Sequence, residues 1–180
     1  MLSLCHISSN YSDVELVCVD VLYCNAKCRL ICVYRSTDSS HQSELFSAHL
    51  VQCLERLTGV TWPCYITGDF NAASVDWLNS MTTHHSGDKV IQDFTINNGF
   101  SQIVKYATRK CNILDIVLVN EPNTIFDVDV NAPFGCSDHC CVNFIIVIEF
   151  ESSDSSAGAS TKQPPMNLSL IHISEPTRPY

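Results

Sequence analysis

Three short polar motifs each lie at or beside the end of an apolar run, and they contain the side chains best suited to chemistry. A carboxylate within or at the tip of a hydrophobic strand is costly to bury unless it is paired or bound to a metal. Asp115 is the sharpest case, because apolar residues flank it on both sides. The motifs are Gly68-Asp69-Phe70-Asn71, Leu114-Asp115-Ile116 and Ser137-Asp138-His139.

Asp115 needs a partner, and the nearby motifs offer a histidine. A carboxylate that accepts a hydrogen bond from one imidazole nitrogen fixes the tautomer of the ring and raises its basicity. We therefore predict that Asp115 pairs with His139. Asp138, the residue before this histidine, would point to the other side of an extended chain. There it could give an oxygen to a hard cation such as Mg²⁺.

Each motif also has an ordinary structural interpretation. An aspartate after a glycine is commonly a turn residue, and a Ser-Asp-His string is commonly a surface loop or a helix cap. Asp115 could equally lie on an edge strand with its carboxylate in water. Because such short motifs occur by chance, their order along the chain carries more weight than any one of them.

The elements that would position the motifs follow from the spacing of apolar residues. Residues 14–23 and 29–34 predict a β-hairpin, and residues 39–59 contain a helix that ends before Gly59. Strands outnumber helices, which predicts an α+β fold of stacked sheets covered by helices. The other predicted elements are a strand ending at Gly68, a helix over 88–98, and strands over 101–107, 112–119, 126–130 and 141–150.

Composition narrows the class of protein. The 180 residues are 46% hydrophobic and 16% charged, as in a globular domain. The net charge of −9 disfavours a protein that holds nucleic acid by a broad basic surface. It leaves room for a metal-dependent enzyme, whose cation is not in the count. Without a signal-like N-terminus or an apolar run of about 20 residues, we expect an intracellular protein of the nucleus or cytoplasm, with no membrane partner.

The eleven cysteines are interpreted as reduced, small core residues. Zinc is an alternative, because cysteine and histidine are its usual ligands. We expect the hairpin to scatter the first of two cysteine groups over both faces, and His139 of the second already belongs to a polar motif. The groups are Cys24, Cys28 and Cys32, and Cys136, His139, Cys140 and Cys141.

The order of the motifs resembles the later part of the endonuclease/exonuclease/phosphatase superfamily, over about residues 14–148. Within it, the chain is most similar to the endonuclease domains of LINE-type (non-LTR) retrotransposons, for which Thr-Arg ahead of Leu-Asp is typical. The Trp-Cys-Asp-Arg type of segment found in the inositol-phosphatase branch is absent. The segments that carry the resemblance are LICVYRSTDSS, YITGDFNA, ATRKCNILDIVLVN and APFGCSDHCCVNF.

The resemblance implies a deoxyribonuclease-I-like fold, here a partial four-layer α/β sandwich of two packed mixed β-sheets flanked by helices. It implies Mg²⁺-dependent hydrolysis of a phosphodiester, with Mn²⁺ as a substitute, that nicks DNA. DNA is therefore the expected partner. A reverse transcriptase domain in the parent open reading frame is also expected.

The resemblance also implies roles for individual residues. Asp69 would orient and deprotonate the attacking water, and Asn71 would help to hold this water and the phosphate. Tyr34 would donate a hydrogen bond to a phosphate oxygen. Asp115 would orient His139, which stabilises charge that develops on the phosphate. The remaining implied roles are substrate contacts from Thr108, Arg109 and Ser137 and a metal ligand in Asp138.

The family's first strand carries an Asn and its second a Glu that is the main metal ligand, and neither has a counterpart here. Glu15 lies in a strand of the predicted hairpin instead. We therefore expect a domain over 1–150 that lacks its N-terminal part, an incomplete metal site and little or no activity. A non-catalytic relic or binding fragment of the same fold is the alternative. Residues 151–180 are expected to be a disordered tail, the last of them resembling a translated sequencing adapter.

Overall fold

The computed structural model describes residues 3–6, 14–23, 26–41, 43–79, 81–82 and 86–147. The predicted tail, and the last residues of the final predicted strand, lie outside these ranges. Among the described helices, none is long and apolar enough to cross a membrane.

The described elements are ten strands, two α-helices and one 3₁₀ turn. In chain order they are β1 (Ser3–His6), β2 (Glu15–Tyr23), β3 (Ala26–Tyr34), α1 (Glu44–Thr58), β4 (Cys64–Asp69), β5 (Val75–Asp76), β6 (Met81–Thr82), α2 (Ser86–Asn97), β7 (Ser101–Gln102), β8 (Asp115–Val119), the 3₁₀ turn (Pro122–Thr124), β9 (Ile125–Asn131) and β10 (Cys141–Ile146).

The main sheet has six strands in the order β1-β2-β3-β4-β8-β7. Strands β3 and β4 run parallel and the other neighbours run antiparallel, so the sheet is mixed. Strands β9 and β10 form a second, antiparallel sheet, and β5 and β6 form a third pair. The predicted α+β fold is confirmed.

The two faces of the main sheet bury different partners. Alternate residues of β4 show this, since Ile66 belongs to the core cluster with α1 and α2, whereas Tyr65 belongs to the cluster with β10. The described residues therefore form three layers, with helices on one face of the main sheet and the β9–β10 sheet on the other.

Helix α1 begins and ends as its sequence predicts. The Ser43 hydroxyl accepts a hydrogen bond from the Phe46 amide at 3.2 Å, and the Gly59 amide donates to the Glu55 carbonyl. Its buried side chains include Leu50, Leu54 and Leu57. These residues recur at helical spacing and fix the face that packs on the sheet.

Two predicted strands are shorter than expected. The strand predicted over 101–107 ends after Gln102, because the Gln102 side chain bonds the backbone N–H and C=O of Val104. These backbone groups of Val104 are therefore not available to extend the β-ladder. The strand predicted over 112–119 begins at Asp115, since a tight turn pairs Arg109 with Asn112 just before it. Strand β1, with little apolar character, was not predicted.

Candidate active site

Strand register places three of the predicted site residues in one row. Tyr34 at the end of β3 is the partner of Asp69 at the end of β4, and Asp69 is the partner of Asp115 at the start of β8. Directly opposed residues on neighbouring strands present their side chains to the same face. The row lies at one end of the main sheet, on the face that the β9–β10 sheet covers.

His139 completes the row from the second sheet, two residues before β10. Its Nδ1 lies 2.8 Å from Asp115 Oδ2, and its Nε2 lies 4.0 Å from Asp69 Oδ2. The predicted pairing of Asp115 with His139 is therefore present. With Nδ1–H donated to Asp115, the ring directs Nε2 towards Asp69.

The side chains of Asp69, Asp115 and His139 are all buried, and burial changes their proton affinity. Loss of solvent and the nearby Asp115 charge raise the pKa of Asp69 to about 6, although His139 opposes part of this rise. The hydrogen bond that His139 donates to Asp115 raises the pKa of His139, against the opposing effect of burial. The site therefore combines a carboxylate of moderate basicity with an imidazole whose proton affinity is raised.

The backbone around Asp69 has an unusual conformation. Gly68 has φ of +142°, and a Cβ at this position would lie 1.9 Å from the Val33 carbonyl oxygen, so only glycine fits. Asn71 has φ of +47°, in the left-handed region, where asparagine is tolerated better than most residues. The Asn71 amide N–H donates to Asp69 Oδ1 at 3.1 Å, and the Phe70 amide donates to the Leu114 carbonyl.

Thr108 positions Asp115 rather than facing a substrate. Its hydroxyl is fully buried and accepts hydrogen bonds from the amides of Leu114 and Asp115, each at 3.0 Å. Its carbonyl accepts from the Cys140 amide at 2.7 Å, beside His139. The predicted contact between Thr108 and the DNA backbone does not agree with this placement, because the hydroxyl has no exposed surface.

Arg109 and Asp138 form an ion pair at the rim of the site. Arg109 Nε and Nη2 lie 2.8 Å and 2.7 Å from Asp138 Oδ2, and the side chains are 32% and 62% exposed. The Arg109 guanidinium lowers the pKa of Asp138. Asp138 thus lies outside the buried group, although it was predicted as the metal ligand. Ser137, predicted to bind substrate, accepts a hydrogen bond from the His139 amide at 3.0 Å.

One group among the described residues has the geometry to hold a metal ion. It contains Asp69, Asp115 and His139, whose ligand atoms lie within 4.8 Å of one another. No such group of described residues includes a cysteine. Cys28 and Cys32 lie four residues apart in β3 and so share a face, which differs from the predicted scatter, while Cys24, the third member of that group, lies outside the described residues. Four residues of strand span about 13 Å, which is too far to share one zinc ion.

Sequence reasoning missed two residues that support the site. Arg35 directly follows the predicted phosphate contact, Tyr34, and is fully buried. It forms an ion pair with Asp88, a buried residue of the first turn of α2, at 2.8 Å. The Tyr-Arg segment was noticed in the sequence, but nothing in it marks the arginine as buried.

A mixed sheet with carboxylates at its strand ends, and a histidine brought to them from a second sheet, defines a hydrolase fold of the deoxyribonuclease-I-like type. The chain belongs to the endonuclease-reverse transcriptase family, whose model matches residues 28–143. Family and fold together support the hydrolysis of phosphate esters in general. No curated protein matches the chain.

Three solved structures illustrate the likeness in fold. The endonuclease domain of TRAS1, a telomere-specific non-LTR retrotransposon, has a TM-score of 0.63 at 19% identity and matches over 81% of this chain and 68% of that one. An AP endonuclease from Archaeoglobus fulgidus has a TM-score of 0.54 at 13% identity, over 81% and 70%. The 3' phosphatase NExo from Neisseria, bound to a product DNA hairpin, has 0.53 at 17% identity, over 84% and 72%.

Proposed function

We propose that this chain is a DNA-nicking endonuclease that hydrolyses phosphodiester bonds with the help of a divalent cation. The observation that carries the proposal is the group of Asp69, Asp115 and His139, in which the imidazole ring lies between two buried carboxylates. The name of the matched family supports it, as does the fold shared with a retrotransposon endonuclease domain.

Asp69 is the proposed general base. A base is most effective when its pKa lies near the working pH, and burial raises the pKa of Asp69 to about 6. The backbone N–H of Asn71 donates to Oδ1 of Asp69, which leaves Oδ2 to take a proton from water. The Asn71 side chain donates one N–H to the Arg35 carbonyl and also hydrogen-bonds to Asp69, and its proposed role is to help hold the water and the phosphate beside this carboxylate.

His139 is the proposed electrostatic partner of the phosphate. Asp115 holds Nδ1–H and raises the pKa of the ring, so Nε2–H can donate to an oxygen on which negative charge develops. Tyr34, in register with Asp69, is proposed to donate a hydrogen bond to a second oxygen. These donors are fixed by two sheets before any substrate binds.

Carboxylate oxygens around the site suit a hard cation such as Mg²⁺ or Mn²⁺. When bound, such an ion neutralises charge on the phosphate. Because Asp115 is engaged with His139, Asp138 remains the proposed ligand. Asp138 is largely exposed, so water can replace Arg109 as its partner when it binds a cation. We expect slow catalysis by this chain, because no glutamate occurs in the sequence context of the family's main metal ligand.

The DNA backbone is proposed to lie along residues 105–110. Lys105 and Lys110 are exposed and, like Arg109, belong to the segment around Thr108 that precedes Asp115. Three positive charges within six residues make a local basic surface on a chain with a net charge of −9. Arg109 would exchange Asp138 for a phosphate.

The test is nicking of supercoiled plasmid by the purified 180-residue chain in Mg²⁺, with enzyme in excess so that slow turnover is visible. We expect weak, chelator-sensitive nicking that falls about 100-fold or more in Asp69→Asn and in His139→Gln. Asp129→Asn, an exposed isosteric change in β9, is the matched control and should nick like wild type. No nicking by the wild type would instead support a non-catalytic binding fragment, and equal nicking by wild type and Asp69→Asn would overturn the role of Asp69 as the base.

A further inference from the structure

Arg35 and Asp88 form a fully buried ion pair between the end of β3 and the start of α2. The guanidinium Nη1 donates to Asp88 Oδ1 at 2.8 Å and to the Phe70 carbonyl at 3.0 Å. Its Nε donates to the His41 carbonyl, also at 3.0 Å. One side chain therefore binds a helix, a loop and the segment that contains Asp69.

The backbone of Arg35 makes two more bonds to the same segment. Its amide N–H donates to the Asp69 carbonyl at 2.8 Å, and its carbonyl accepts from Asn71 Nδ2 at 2.8 Å. With the bond to the Phe70 carbonyl, residue 35 contacts three consecutive residues. Asp88 holds the far side, because its Oδ2 accepts from the amide and hydroxyl of Ser74 at 3.1 Å and 2.7 Å.

We infer that the Arg35–Asp88 pair is a positioning device, which holds the segment 69–71 so that Asp69 faces His139 and Asp115. Asn71 has positive φ, a conformation that residues other than glycine adopt sparsely and that surrounding contacts must hold. The carboxylate of Asp69 also gains from turning out into water, because it lies in a buried site beside Asp115. The bonds from Arg35 oppose both tendencies.

A second buried pair in the same strand provides a matched control. Arg29, six residues earlier, donates through Nε and Nη2 to the two carboxylate oxygens of Asp20, and through Nη1 to the Leu57 carbonyl in α1. Both pairs are buried and both link β3 to a helix or a neighbouring strand. The contacts of Arg29 do not include any proposed site residue.

The experiment replaces each pair by apolar residues of similar volume, as Arg35→Met with Asp88→Leu, and Arg29→Met with Asp20→Leu, in the full chain. Such replacements of buried ion pairs often leave global stability unchanged or higher. The measurement is amide hydrogen exchange by NMR, which resolves local opening from global unfolding. The reporters are the amides of Phe70 and Asn71, which bond to the Leu114 carbonyl and to Asp69 Oδ1.

In the Arg35/Asp88 variant we expect the Phe70 and Asn71 amides to lose at least tenfold more protection than amides at the centre of β3. In the Arg29/Asp20 variant these two amides should keep their wild-type protection relative to the same reference. A pair that only stabilises the fold would lower protection evenly through the core. Even loss, or no loss at Phe70 and Asn71, would overturn the inference.

A single conservative substitution provides a second test if the double variant does not fold. Arg35→Lys keeps the charge beside Asp88 but lacks the fork that reaches three acceptors, so the same two amides should lose protection to a smaller degree. Unchanged exchange in this variant would also overturn the inference.

The consequence for catalysis rests on the proposed role of Asp69. In the nicking assay, the Arg35/Asp88 variant should lower the maximal single-turnover rate at least tenfold and leave the enzyme concentration that gives half of this rate unchanged. A local loss of protection without any nicking by the wild type would support the positioning role and count against the proposed function. Nicking that is unaffected in the folded variant would overturn the positioning role alone.

Discussion

At one end of the main sheet, Asp20 lies between Arg29 and Lys27; at the other, Asp69 and Asp115 share a single histidine. Arg29 and Lys27 lower the pKa of Asp20, mainly through the hydrogen bonds from Arg29. Burial and a second carboxylate raise the pKa of Asp69 to about 6. Both aspartates are nearly inaccessible to solvent. At Asp20 the hydrogen bonds from the cations outweigh the loss of solvent, whereas at Asp69 burial is the largest effect and the Asp115 charge adds to it.

The Asp20 end is built for stability. Lys27 Nζ lies 2.8 Å from Asp20 and 3.7 Å from the centre of the Trp62 ring, while Arg29 also bonds to the last turn of α1. Every charge there has a partner of opposite sign. The Asp69 end carries excess negative charge in a buried place, which weakens the fold but suits proton transfer and cation binding. Functional sites commonly retain such unfavourable arrangements.

The largest expected effect is on nicking by Asp115→Asn. Asparagine carries no negative charge, so the ring loses the interaction that raises its pKa, and the side-chain NH2 can donate to Nδ1 and favour the other tautomer. We expect the nicking rate to fall by about 10²–10⁴-fold, the range for loss of a positioned acid or base.

Asp20→Asn is the counterpart at the other end of the sheet. When it is measured at a temperature at which the variant stays folded, its nicking rate should equal that of the wild type. A similar loss of activity in both variants would show that the two ends do not differ in function, and would remove the comparison drawn above.

The same two ends should respond oppositely in stability. Asp20→Ala leaves Arg29 buried without its main partner, which costs about 3 kcal/mol in comparable buried pairs. Asp69→Asn removes a carboxylate whose ionisation is unfavourable in the folded state, and we expect a gain of about 1–2 kcal/mol at pH 7.5. Urea unfolding monitored by circular dichroism gives both values. Destabilisation by Asp69→Asn would contradict the view that this end is held in an unfavourable state.

The dependence of stability on pH sharpens the contrast. The pKa of Asp69 is higher in the folded than in the unfolded chain, so its ionisation costs folding free energy as pH rises from about 4 to about 6. The folded pKa of Asp20 is lowered, so its stabilisation is lost as pH falls below about 4. The wild type should therefore lose stability relative to Asp69→Asn between pH 4 and 6. Parallel curves for the two proteins would contradict the raised pKa.

Whether a contact in the candidate site can be predicted from the sequence depends on the kind of contact. The Asp115–His139 pair was predictable, because an aspartate inside an apolar strand demands a partner of a type that few motifs supply. The placement of Thr108 was not, since it depends on the turn that pairs Arg109 with Asn112. The Arg35–Asp88 pair joins residues 53 positions apart, and no local pattern separates a buried arginine from an exposed one.

The smallest expected effect concerns Arg109. It is paired, like Arg29, but its partner Asp138 is exposed and lies at the rim of the candidate site. Arg109→Gln should change the free energy of unfolding by less than about 1 kcal/mol, as for other exposed ion pairs.

If Arg109 binds a DNA phosphate, the slope of log Kd for duplex DNA against log salt should fall by about 1 in Arg109→Gln. Fluorescence anisotropy over a salt series in Ca²⁺ measures this without cleavage. Lys89→Gln, which removes a lysine paired with Asp93 on the surface of α2, is the control and should leave the slope unchanged. An equal change in both variants would mean that only net charge matters and that Arg109 does not bind a DNA phosphate.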